Sequence, residues 1–335
     1  MKRAGQINDA GQFDVPRKQR GVALITAVLL VALATVLAVD IGFKGYLNQR
    51  RAATIFSLDQ GYEVALGAEA LAADVLMSTD PKQTDLTQPW ATPIEHLPIA
   101  SGGEGGEQSG EITGRIEDMA GRFNLNNLAP PDDPSQAQKQ RDYIEQFKRI
   151  LDMAKLEPEW ADKIVDWVDA DTNPTFPDGA EDDVYSSQTP PYRTANRHIT
   201  RVSELLALPN FGLERYRKLE PLVSALPPGT PINICTAPGI VLDSFSATQR
   251  QYSLDPEWLT KQRGSGCFPG IKVLASTLNA AEQTRINDPT IAAETSSYFR
   301  ATVTVTIGSN DFTLYSLLKR DAGGVRPILR SFGTT

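Results

Sequence analysis

Histidine is nearly absent from this 335-residue chain. His96 and His198 stand too far apart in sequence to suggest a paired zinc site. Cysteine is equally scarce: Cys235 and Cys267 allow one disulfide or two free buried thiols. Positive charge is in deficit, with 33 Lys and Arg against 41 Asp and Glu, a net of −8. A nucleic-acid ligand, whose phosphates demand a positive face, fits that balance poorly. What the chain does have is length for two domains and a sizeable core, and one long apolar run near its start.

That run, Val22 to Val39, is eighteen residues without a charge, and Arg17, Lys18 and Arg20 stand just before it. At about 1.5 Å per residue such a helix spans close to 27 Å, enough to cross a hydrocarbon core when slightly tilted or anchored at its ends. The basic flank should stay cytoplasmic, which puts the C-terminal ~290 residues beyond an inner membrane, in a periplasm-like compartment. An ordinary secretory signal has a shorter apolar region and a small-residue cleavage site after it, whereas here helical character continues past the run. Two readings remain. One is a plain single-span anchor. The other, which we favour, uses Gly21: a hydrophilic leader ending in Gly directly before such a helix looks like a type III signal, cut between Gly21 and Val22 by a prepilin peptidase. Residues 1–21 carry five Lys and Arg against two Asp, net +3, so their removal takes −8 to −11. Both cysteines fall in the part placed outside the membrane, where oxidation is favoured. A bonded loop of about 33 residues would contribute roughly 3–4 kcal/mol in the chain-entropy model.

Past the membrane stretch Ile55, Leu58, Tyr62, Ala65, Ala72 and Leu76 form one helical stripe, and Asp80-Pro81 stops it. Residues 89–110 read as loop, ending in a segment too polar and Gly-rich to pack. Glu111 to Leu128 reads as strand then turn, with Ile112, Gly114 and Ile116 on one face. The C-terminal third reads as β again, with Tyr298–Ile307 and Asp311–Lys319 paired around Gly308-Ser309-Asn310 and Val325–Ser331 as a further strand. Between the β pieces lies a helical insertion, Pro130 to about Leu226, holding 12 Lys and Arg against 18 Asp and Glu. Its expected helices are carried by Tyr143, Phe147, Ile150 and Leu151; by Ile164, Val165, Trp167 and Val168; by a segment after Thr200; and by Leu213–Leu222. The fold class is α+β: a long N-terminal helix on a small antiparallel sheet, interrupted by an α-domain.

Carboxylates concentrate between Asp166 and Asp183, in a loop rich in Pro and Gly. They repel one another unless a hard cation sits among them, and oxygen ligands at alternating positions suit Ca²⁺. Asp169-x-Asp171-x-Asn173 begins like an EF-hand loop, but Pro174 stands where the turn Gly should be and Ala180 where the bidentate Glu should be. The expectation is a custom calcium loop built from Asp169, Asp171, Asn173, Glu181 and Asp182, against the plainer reading of a solvated acidic loop. Catalytic carboxylate pairing is disfavoured because no nearby aromatics or His imply a substrate pocket. A second unit, Val202 to Tyr216, reads as helix, a tight Leu-Pro-x-x-Gly turn, helix. It resembles the helix-hairpin-helix that grips DNA phosphates, but the acidic insertion and the anchor favour a packing role.

Taken together these residues resemble the minor pseudopilin K family of the bacterial type II secretion system. The resemblance lies in Arg20-Gly21-Val22-Ala23-Leu24, in residues 118–128 (DMAGRFNLNNL), and in Asp166-Trp-Val-Asp169 and Gly179-Ala-Glu181. It continues in Pro191-Tyr-Arg193-x-Ala-Asn196, Ser203-Glu204-Leu205 and Pro231-Ile-Asn233-Ile-Cys235-Thr-Ala237. It covers essentially the whole chain. The family typically has a second Asn where Cys235 stands, so the turn bonding there should differ. The resemblance implies a leader at 1–21, a membrane and periplasmic helix at 22–80, a pilin-like β-domain at 81–129 and 227–335, and a SAM-like helical insertion at 130–226. It also implies bound calcium, a non-enzymatic role in protein export, leader cleavage with methylation by a prepilin peptidase, and placement in the inner membrane. Its implied partners are the minor pseudopilins I and J at the tip of a pseudopilus and, through them, H and G. The rival reading is a competence-type membrane-anchored DNA receptor. Thr26 bears on the tip: pilin-like helices usually carry Glu as the fifth mature residue, thought to neutralise a neighbour's buried amino terminus. A topmost subunit has no such amine above it to neutralise, and burying an unpaired charge costs several kcal/mol.

Overall fold

A computed structural model describes residues 19–100, 108–131 and 133–333, so most of the expected leader lies outside the described residues. Helix α1 runs Gln19–Met77, ending just before the Asp80-Pro81 expected to stop it. The chain divides into two units, residues 1–59 and 60–335. In the first unit the apolar run exposes its side chains (Leu24 and Leu30 are each 67% exposed), as a helix facing lipid does and a core helix does not. Thr26 Oγ donates to Ala23 O, so its hydroxyl is satisfied within the helix. Lys44 and Asp40 pair at 2.8 Å just past the apolar run.

In the second unit the chain follows with a 3-10 turn Pro89–Ala91, β1 (Ile94–Ala100), β2 (Gln108–Asp118), a short β3 (Phe123–Asn124) and a 3-10 turn Leu125–Leu128. The helices α2 (Ala137–Met153), α3 (Trp160–Val168) and α4 (Asp182–Ser186) come next, then a 3-10 turn Val202–Ala207, α5 (Gly212–Leu219) and β4 (Val223–Ser224). After β5 (Ile232–Asn233) stand α6 (Gly239–Asp243), α7 (Pro256–Arg263), α8 (Ile271–Ser276) and α9 (Ala280–Ile286), then β6 (Ala292–Ala293), β7 (Tyr298–Ile307), β8 (Asn310–Asp321) and β9 (Gly324–Phe332).

Five strands form an antiparallel sheet in the order β1-β2-β7-β8-β9. Residues 60–77 of α1 lie on one face of it. Ala65 packs with Val303, Val305 and Leu314, and Leu76 with Trp90, Phe299 and Leu318. Ile112, Gly114 and Ile116 pair with Val305, Val303 and Ala301, the one-face pattern expected of β2. The α1 stripe also carries a charge: Glu69 is buried and takes two hydrogen bonds from Arg330 of β9, at 2.9 and 2.7 Å, plus the Ser316 hydroxyl.

Three stretches differ from expectation. Residues 89–110 are not all loop, because β1 pairs with β2 as the sheet's edge; Pro93 and Pro98 hide it in sequence, and an edge strand tolerates a missing N–H. The chain after Leu226 does not return directly to the five-stranded sheet. From α6 to α9 it is helical, and Val241, Leu242, Leu259, Leu274 and Ile286 join one hydrophobic core with Phe147, Ile164 and Phe211 of the insertion. These helices are short and punctuated by Gly and Pro, so no single periodic run announces them. The segment after Thr200 is a 3-10 turn rather than an α-helix.

The insertion is tied off at its ends by three asparagines. Asn124 donates to Pro227 O and accepts from Leu226 N–H; Asn126 donates to Ile199 O and Leu226 O; Asn127 accepts from Gly229 N–H. β3 and β4 pair in parallel beside them, Phe123 against Val223. An ion cluster then joins insertion to sheet: Glu117 accepts from Arg122 and Arg300, and Glu220 pairs with the same two arginines.

Candidate metal centre

Helix α3 is buried at every residue but Lys163, packs into the shared core and ends as Asp169 takes up an extended backbone. The chain then cannot turn away freely, because Asp166, fully buried, accepts the Thr175 N–H at 2.9 and 3.2 Å across the loop. Gly179 N–H closes a turn onto Thr175 O at 2.7 Å. A Cβ on Gly179 would stand 2.3 Å from Asp166 Oδ2, so only glycine fits there. The loop is thereby folded back until Glu181 comes beside Asp169.

Oxygens of Asp169, Asp171 and Glu181 lie within 4.8 Å of one another, with Asp169 and Glu181 buried and Asp171 exposed. Asp169 Oδ1 and both Glu181 oxygens are buried without a hydrogen-bond partner. Burying a charge unpaired is costly, and the electrostatics register it. Burial first, then the charges of Asp171, Asp166 and Glu181, push the Asp169 carboxyl up to about 7. Burial and the neighbouring carboxylates also raise Glu181. Three hard oxygens that accept no hydrogen bond, set among like charges, suit a divalent cation of the calcium type. Asn196, in a left-handed backbone conformation that Asn tolerates (φ 45°), donates from Nδ2 to Asp171 O at 2.7 Å. Its Oδ1 is buried and unpartnered, a neutral oxygen beside the same segment.

Of the five residues expected to gather, the cluster therefore brings together Asp169, Asp171 and Glu181. Asn173 donates its N–H and its Nδ2 to Asp171 Oδ1, at 2.7 and 3.0 Å, which orients that carboxylate. Asp182 accepts the Thr194 N–H at 3.1 Å and stands 3.7 Å from Arg193. Sequence reasoning missed the anchoring by Asp166 and the seat of Asn196, although both positions belonged to quoted motifs. Aromatic residues do stand behind the loop: Trp167, Tyr185 and Tyr192 contact ring to ring at 5.3 and 5.4 Å. Trp167 and Tyr185 are buried, so they form a wall rather than a substrate platform.

Cys235 and Cys267 are disulfide-bonded, and Cys235 N–H bonds to Asn233 Oδ1 at 3.1 Å. The helix-hairpin-helix turn keeps positive φ at Asn210 and Gly212. Its Arg215 is committed to Glu157 and to the turn's own carbonyls at Asn210 and Phe211. That leaves this guanidinium occupied in the fold, consistent with packing rather than phosphate contact.

Residues 121–228 match the family described as Type II secretion system (T2SS), protein K. Over 95% of this chain and 94% of the relative, the sequence is 33% identical to the Type II secretion system protein K of Pseudomonas aeruginosa. It is 31% identical to that of Pectobacterium carotovorum subsp. carotovorum, across 94% of this chain and 97% of the relative. The fold matches a chain of the crystal structure of the GspK-GspI-GspJ complex from the enterotoxigenic Escherichia coli Type 2 Secretion System. That match has a TM-score of 0.71 over 85% of this chain and all of the other, at 22% identity.

Proposed function

Because the chain belongs to the type II secretion system protein K family, we propose that this minor pseudopilin sits at the tip of a periplasmic pseudopilus. There it initiates or caps assembly and so supports export of folded proteins across the outer membrane. The observation that carries the reading is the fold itself, an exposed apolar helix continued onto a pilin-like sheet with an α-domain set into it. The Pseudomonas relative aligns with it almost end to end. The role is structural, not catalytic.

The apolar N-terminal helix is the anchor, with the amino terminus cytoplasmic and the rest periplasmic. A prepilin peptidase cuts between Gly21 and Val22. Thr26 supports the tip position, since a subunit without the usual Glu has nothing to offer an amino terminus above it. The partners are the minor pseudopilins I and J, with which a structural neighbour was solved as a complex, and H and G through them. Ca²⁺ is held by Asp169, Asp171 and Glu181, with Asn173 and Asp182 orienting the loop. Its charge would offset the mutual repulsion of buried carboxylates.

Co-expression of the full-length chain with I and J from the same bacterium, followed by detergent extraction, tests the assembly. A ternary complex is expected; I and J eluting together without this chain would overturn the reading. Immunogold labelling of assembled pseudopili should mark filament ends, and label along the length would exclude the tip.

A further inference from the structure

The most exposed large apolar side chain among the described residues is not in the membrane helix. It is Phe176, 92% exposed, against 71% for Phe56, the most exposed apolar residue of α1. Phe176 is the first residue inside the turn closed by Gly179 N–H on Thr175 O, and the Thr175 N–H is fixed by Asp166. The loop is thus held on both sides of it, and Gly179 has no room for a side chain that would let the turn open outward. Two carboxylates that the metal cluster does not use, Asp178 of the same loop and Asp183 in the first turn of α4, are exposed. A large ring kept in water on a fixed turn forgoes burial free energy that a free loop would recover by folding it back.

We propose that Phe176 is a preorganised docking anchor for a protein partner whose surface offers an apolar pocket rimmed by Lys and Arg. A rigid aromatic presented from an ordered turn is the kind of side chain that dominates an interface, because little conformational freedom is lost on binding. The acidic surround selects the partner's rim and steers its approach. The same charge opposes the two other occupants. Anionic phospholipid headgroups would be repelled, and a second copy of this chain would bring one acidic loop against another. The inference is independent of the tip reading, since it concerns only what the loop presents.

The test is photocrosslinking in cells with p-benzoylphenylalanine replacing Phe176 in the full-length chain, and with the same residue at Thr172 as the control. The expected adduct is a single protein whose crosslinked peptide lies in an apolar pocket flanked by Lys and Arg. That protein, purified, should bind the full-length chain in detergent. Phe176→Ser should weaken binding about thirtyfold, Phe176→Trp should retain it, and added salt should weaken it further. The Phe176→Ser chain should melt at the wild-type temperature, which separates docking from folding. Adducts to lipid or to a second copy overturn the proposal. So does crosslinking no stronger than at Thr172, or a mapped contact surface without a basic rim.

Discussion

Asp166 and Gly179 occupy neighbouring space: the Asp166 carboxylate stands where the first side-chain atom of any other residue at 179 would lie. Backbone atoms of Thr175 also stand 2.4 and 2.5 Å from that position, and the Thr175 N–H bonds the same carboxylate, so neither neighbour can simply move away. Gly179→Ala should therefore force the loop open. A loss of about 1–3 kcal/mol, typical of overpacking, is expected in thermal melts of the full-length chain in detergent, together with loss of any stabilisation by Ca²⁺. An alanine variant that melts and responds to Ca²⁺ like wild type would show that the loop does not depend on this contact.

The acidic cluster makes a prediction with a definite sign. Asp169 in the folded chain holds its proton up to about 7, well above an unfolded Asp near 3.9. The folded state then binds more protons than the unfolded state between those values, so stability falls as pH rises through that window. In chelator, the melting temperature should rise as pH is lowered from 8 to about 5.5. Millimolar Ca²⁺ should remove most of that slope and stabilise the chain most at pH 8, better than Mg²⁺ does. A flat profile in chelator would mean that the three carboxylates are not held together in solution.

How much of this was legible beforehand follows from what periodicity can and cannot carry. Tyr143, Phe147, Ile150 and Leu151 mark α2 because each helical turn returns an apolar residue to the core. Gly308, in a left-handed conformation, marks the β7–β8 hairpin. Strand β1 stayed hidden behind Pro93 and Pro98. Helices α6 to α9 bury only one to three residues each, too few to show a period. In the acidic loop, spacing revealed that carboxylates gather. It could not reveal which are turned to backbone N–H groups, as Asp166 and Asp182 are, because those bonds come from residues nine and twelve positions away. Glu69 was missed for a related reason: a charge in an apolar stripe reads as surface until its partner, 261 positions on, is seen.

That pair is testable. Burial pushes Glu69 up, but the hydrogen bonds of Arg330 and Ser316 and the Arg330 charge outweigh it and hold the carboxyl below its usual range. Arg330→Met should strand a buried carboxylate and cost about 2 kcal/mol, less than a wholly buried pair because Arg330 is half exposed. Adding Glu69→Leu should recover most of the loss. The sign in pH follows from the lowered value: the wild-type contribution is present above the unfolded Glu value and disappears as pH falls through the folded one. A double variant no more stable than Arg330→Met would place the cost elsewhere than in the stranded charge.

Leader processing offers a prediction outside the soluble fold. Gly21→Ala should block cleavage and leave the full-length chain in the membrane, retaining a leader of net +3. An immunoblot showing mature-size protein from that variant would leave only the plain-anchor reading of the apolar helix.

The last prediction separates two devices that hold one segment. The disulfide joins Cys235 to Cys267, and the buried Arg263 guanidinium spans the same two stretches. It donates to Ile234 O at 3.0 Å and Ala237 O at 2.8 Å on one side, and to Phe268 O at 2.7 Å on the other. Among the described residues no carboxylate pairs with it, and burial alone lowers the guanidinium to about 10. The two devices act on different states. A crosslink closing 32 residues of chain acts chiefly on the unfolded ensemble, worth about 3 kcal/mol. Arg263 acts on the folded one, since its removal leaves three carbonyls short of a donor. Replacing both cysteines with Ala should therefore lower the melting temperature while amides of residues 264–270 keep their native protection from hydrogen exchange relative to the global limit. Arg263→Met, with the disulfide intact, should raise exchange in that same segment well before the core opens. If loss of the disulfide alone frees the segment, the carbonyl clasp of Arg263 does not hold it, and the covalent bond does.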